Sequence, residues 1–115
     1  MALKKVKIKL THDELVTLLK LINEQVITDE SYKTITPTRH YKVLTAFVVG
    51  HVTEFYIKML GNSHFSYTGR KQFTISPYQG LALQTVIELG WLRTDNRWTE
   101  MVLQNLFATT LKQIA

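Results

Sequence analysis

Four histidines, two tryptophans each close to an arginine, and a run of lysines near the start are the residues of this 115-residue chain that could do chemistry. Placed on one helix, His40 and His51 fall on the same face. At a rise of 1.5 Å per residue they stand roughly 16 Å apart along the axis, too far to share a metal ion. His51 and Glu54 are one turn apart, but no H-E-x-x-H pattern surrounds them. A structural hydrogen bond is the expected use of that pair. A catalytic site gathered from His51, Glu54, Tyr56 and His64 has no support from spacing. The chain has no cysteine and no G-x-S-x-G elbow, and its five glycines form no phosphate loop. Its adjacent carboxylates, Asp13-Glu14 and Asp29-Glu30, would point apart on a helix. The expectation is a chain that is not an enzyme and uses neither metal nor cofactor.

Two clusters remain. Lys5, Lys7 and Lys9 alternate with Val6, Ile8 and Leu10, so a strand here turns its lysines to one side. Paired with a later strand, they would stand beside Arg70, Gln72 and Thr74. Such a ribbon can follow a phosphate backbone. It equally protects a sheet edge from aggregation, and it shows no aromatic residue on that face to stack bases. The second cluster is Trp91, Arg93, Arg97 and Trp98, at a junction between helices. Tryptophan and arginine are enriched where proteins bind each other. An anion at the helix N-terminus, or a core tryptophan under snorkelling arginines, are the other uses of this cluster.

These clusters need elements to hold them. Residues 4–10 read as a strand running into Thr11-x-x-Glu14, and Gln72 to Ile75 as one running into Ser76-x-x-Gln79. Each is a strand followed by a capping box. Their apolar positions partly align 65 residues apart (Leu10 with Ile75, Leu18 with Leu83, Ile22 with Ile87). A degenerate duplication would do this; shared capping chemistry at two strand–helix junctions is the simpler account. Helix one spans His12 to Val26, with Leu15, Leu18, Leu19, Ile22 and Val26 buried. A polar connection follows. Helix two starts at Pro37, capped by Thr36, and stops at Gly61. It is apolar on several faces, which suits a central helix or a subunit interface, and Gly50 in its middle suits a close crossing or a bend. Residues 62–70 read as part of a β-hairpin turning near Thr68 to Lys71. Helix three begins at Pro77 and ends at Gly90 in a Schellman motif that folds Trp91 back onto Val86. Helix four runs from about Asn96, capped by Thr94 or Asp95, nearly to the C-terminus.

The resulting expectation is an α+β, mainly α, single domain spanning 1–115. It has about four helices, with a two- or three-stranded antiparallel sheet packed on one side. Apolar content of 45% and charged content of 20% are ordinary for a folded domain. No apolar run is long enough to cross a bilayer or to act as a signal peptide, and the expected location is cytoplasmic. The net charge is +5, but the basic residues beyond the first nine positions are scattered, which weakens an inference to nucleic acid. The leading expectation is a protein-interaction or assembly module, pairing with itself as a homodimer or with another protein. The alternative is a nucleic-acid-binding module acting through Lys5, Lys7, Lys9 and Arg70.

Overall fold

The computed structural model describes residues 4–27 and 39–114, and the side chains of 45–114 in the latter stretch. Among these residues the order is β1 (Val6–Thr11), α1 (His12–Ile22), α2 (Arg39–Ser63), β2 (Arg70–Ile75), α3 (Pro77–Glu88) and α4 (Arg97–Ile114). The described architecture is therefore mainly α, with four helices and one two-stranded antiparallel sheet. The expected polar connection, the Thr36 cap and Pro37 lie outside the described residues.

Both capping boxes form. Thr11 Oγ1 accepts from the Glu14 N–H while Glu14 Oε1 accepts from the Thr11 N–H. Ser76 and Gln79 repeat the exchange, with Pro77 in the first turn. Helix α1 keeps its expected length by a change of winding: after Ile22 a π-helical turn, Asn23–Ile27, carries the chain on and buries Val26. Helix α3 ends as expected in a Schellman motif. Gly90 takes φ 73°, the Trp91 N–H donates to the Val86 carbonyl at 2.9 Å, and the Gly90 N–H donates to Ile87 at 3.1 Å.

Strand β1 pairs with β2 so that Val6 faces Ile75, Ile8 faces Phe73 and Leu10 faces Lys71. Val6, Ile8, Leu10, Phe73 and Ile75 are buried against the helices, as alternation requires. Each outer edge of this small sheet is met at one residue by a side chain. Gln113 lays its amide along β1: its Oε1 accepts from the Lys7 N–H at 2.7 Å and its Nε2 donates to the Lys7 carbonyl at 2.6 Å. On the far edge Lys58 donates to the Thr74 carbonyl at 2.5 Å. Unpaired edges invite aggregation, and these side chains occupy one position on each, leaving β1 open at Lys9.

The helices close a ring around one core. Helix α2 packs chiefly on α1 and α3, and α4 on α3, α1 and β1. Leu15, Leu18, Ile22, Val52, Phe55, Met59, Leu83 and Val86 fill the middle.

Four expectations are corrected here. Residues 64–69 form no hairpin strand: β2 starts at Arg70 and its partner is β1, so the sheet has two strands among the described residues. The aromatic alternation arises because Tyr67 tucks in, donating its hydroxyl to the Leu10 carbonyl at 2.9 Å, while Phe65 is 83% exposed. Helix α2 passes Gly61 and ends at Ser63, because Asn62, Ser63 and His12 bond its last carbonyls through their side chains. Helix α2 is also one member of the ring rather than its centre, since it packs chiefly on α1 and α3 and exposes Phe47, Ile57 and Leu60. No described residue lies within 4 Å of a Cβ built at Gly50, so none of the described helices crosses there; the close approach is at Gly80, where an added Cβ would meet Ile114 Cδ1 at 3.0 Å and Val6 Cγ2 at 3.1 Å.

Candidate functional site

The lysine ribbon is built largely as the alternation implied. Lys7 stands across from Thr74 and Lys9 from Gln72, and all four are exposed on the side away from the helices. Two members differ. Lys5 precedes β1 and is exposed there. Arg70, opposite Thr11, is held: its Nη1 lies 2.8 Å from Glu14 Oε1 and 3.4 Å from the Lys9 carbonyl. Glu14 is buried and already holds the capping box, so its carboxylate draws the guanidinium inward. The ribbon's unrestrained cations are lysines.

The Trp/Arg junction divides into two parts. Trp91 is half-buried against the core at the end of the Schellman motif. Arg93 folds its side chain onto the helix end, donating Nε–H to the Gly90 carbonyl at 2.9 Å. Its main chain is clasped by Gln25, whose Oε1 accepts from the Arg93 N–H at 2.7 Å and whose amide donates to the Arg93 carbonyl. Trp91 and Arg93 therefore position the turn. Asn96, rather than Thr94 or Asp95, caps α4, its Oδ1 accepting from the Thr99 N–H at 3.1 Å, while Thr94 supports the Asn96 N–H. One of the N–H groups at this helix N-terminus is thus capped from within the chain.

Arg97 and Trp98 face outward. Trp98 is 46% exposed, Met101 on the next turn 53%, and Val16 of α1 42%. Val16 and Trp98 share a shallow groove of about 370 Å³ with Lys20, Leu21 and Glu24. This α1–α4 face combines large apolar area with flanking charges, the make-up of an interaction site.

His51 lies in an aromatic ladder that the sequence did not reveal. Phe47 meets its ring edge-on at 4.4 Å between centroids, and Tyr78 stacks on it at 5.7 Å. Its Nδ1 is 3.4 Å from Glu54 Oε2 without hydrogen-bond geometry. His64 lies beyond the end of α2 and is exposed. Among the described residues no group of three or more His, Asp or Glu could hold a metal ion.

A further groove of about 400 Å³ runs between β1 and α4, lined in part by Lys9, Arg70, Ala108 and Lys112. Its only sequence signal was the lysine alternation, because α4 reaches β1 through tertiary packing alone. Comparisons with family models, curated proteins and solved structures find no match for this chain. Among the described residues no helix is long and apolar enough to cross a membrane.

Proposed function

We propose that the chain is a non-enzymatic protein-interaction module that assembles as a homodimer through the α1–α4 face. The observation that carries this reading is the exposure of Trp98, of Val16 in the same groove and of Met101 one turn along α4. Water contact with that much apolar surface is unfavourable, at about 25 cal/mol per Å², and a second copy would remove it. Arg97 and Lys20 at the margin would make the polar rim.

Light scattering coupled to size-exclusion chromatography tests this. The expected mass is that of two chains. Trp98→Ala should weaken the dimer by about 2 kcal/mol or more, the scale of an interface hot spot, roughly thirtyfold in dissociation constant. Its circular dichroism should be unchanged. A monomeric parent chain, or a Trp98→Ala variant that melts earlier yet keeps the parent mass, refutes the reading.

A nucleic-acid-binding module is the second reading. It is favoured by the register that sets Lys7 and Lys9 beside Thr74 and Gln72 on an exposed face. Changing Lys5, Lys7 and Lys9 together to Gln should weaken binding and flatten its salt dependence, each lost phosphate contact lowering the slope by about 0.7–0.9. An affinity indifferent to salt excludes it.

A further inference from the structure

We infer that the groove between β1 and α4 binds a short acidic peptide segment in extended form, paired to the edge of β1 at Lys9. This site is separate from the Trp98 face and does not depend on it.

The first observation concerns the main chain. Since Gln113 takes both the N–H and the carbonyl of Lys7, that residue is at a non-hydrogen-bonded position of the ladder with its polar groups turned away from β2. Lys9, two residues on, occupies the same kind of position, so its N–H and carbonyl turn the same way, into the groove. Arg70 reaches that carbonyl only at 3.4 Å. The Gln113 amide already acts on this edge as the peptide group of a third strand would. An edge flanked by a helix is a recurring seat for an added strand, main-chain hydrogen bonds giving affinity and side-chain pockets giving choice.

The second observation is charge. The cations lining the groove are Lys9, Arg70 and Lys112, against one acid, Glu14, which is already bonded to Arg70 and to the Thr11 N–H. The site therefore carries uncompensated positive charge over an apolar floor that includes Ile8 and Leu106. A segment alternating carboxylates with apolar side chains matches it: one set reaches the lysines and the other set meets the floor. The volume, about 400 Å³, lies within the range of sites that enclose small ligands, roughly 300–1,000 Å³.

Fluorescence anisotropy tests the inference. The probe is a labelled hexapeptide alternating glutamate and valine, acetylated and amidated, titrated with the full chain. Saturable binding that weakens with added salt is expected, and a lysine–valine peptide should not bind. Methylating the backbone nitrogens along one edge of the probe should cost about tenfold in affinity, the scale of a lost hydrogen bond. Ala108→Trp fills the groove and Lys112→Glu inverts its charge. Both residues are exposed on α4, and each change should weaken binding by a similar factor with the circular dichroism preserved. Trp98→Ala should leave it unaltered, whichever way the dimer test falls. The inference is overturned if the acidic probe does not bind, or if its binding ignores both N-methylation and Lys112→Glu. It is also overturned if single-stranded oligothymidine binds at this groove and the peptide does not.

Discussion

Gly50 and Gly80 are the same residue type inside helices, and their surroundings give them opposite consequences. A helical glycine costs about 1 kcal/mol relative to alanine, through the freedom it loses on folding. No described residue lies within 4 Å of a Cβ placed at Gly50, so Gly50→Ala should raise stability by about 0.5–1 kcal/mol. At Gly80 the added carbon meets Val6, itself fully buried, and Ile114. Overpacking there costs about 1–3 kcal/mol and outweighs the helix gain, so Gly80→Ala should destabilise. Urea denaturation of the two variants side by side checks both signs, and equal gains would mean that the Val6 contact yields. Gln84 is a second residue whose position decides its effect. It is buried in α3 and its Nε2 has no hydrogen-bond partner among the described residues, an arrangement that costs about 1–3 kcal/mol. Gln84→Met should therefore stabilise the chain, as read from the same denaturation curves.

Among the elements, the two strand–helix junctions share one design and the edges of the sheet share another. Removing a cap hydroxyl typically costs about 1 kcal/mol. Ser76→Ala should show that cost. Thr11→Ala should exceed it, because Glu14, which answers Thr11, also holds Arg70 across the sheet. A smaller loss at Thr11 than at Ser76, measured by thermal melting, would mean that the Glu14–Arg70 pair is independent of the cap. The same element-level logic explains the two glutamine clasps. Gln113 and Gln25 each satisfy both main-chain groups of one distant residue, Lys7 and Arg93 respectively. One ties the end of α4 to β1 and the other ties the π-helical turn after α1 to the α3–α4 junction.

For the whole molecule, alkaline pH is the informative variable. Burial, and then the nearby Glu14 carboxylate, raise the Tyr67 hydroxyl above its ordinary value of 10.0. The folded chain then holds that proton more tightly than the unfolded chain. Its stabilising contribution is complete below the unfolded value and is lost as pH rises through the higher folded value. Between about pH 9 and pH 11 the parent chain should lose more stability than Tyr67→Phe, which has no proton to give. Urea unfolding at both pH values measures the difference, and parallel losses would show that other groups account for the alkaline transition. The variant should also be weaker at neutral pH, by about 1 kcal/mol, for want of the hydrogen bond to Leu10.

What the sequence determined by itself is local. Alternation set the inward and outward faces of β1, the Ser/Thr-x-x-Glu/Gln spacing set the starts of α1 and α3, and Gly90 set the end of α3, because each depends on residues within one or two turns of chain. The exposure of Lys7 and Lys9 follows from the same period. Tertiary structure alone decided the rest. Gly61 reads locally as a helix end, yet α2 continues to Ser63, whose carbonyl meets His12, far away in sequence. The aromatic alternation of 64–68 reads as a strand, yet the partner of β2 is β1. Trp91 and Trp98 have the same chemistry and similar neighbours, yet one packs on the core and the other faces water, since the Schellman turn and the Gln25 clasp fix how α3 hands over to α4. The groove along β1 exists only because α4 is brought to that edge, a juxtaposition about a hundred residues apart in the chain that no local pattern encodes.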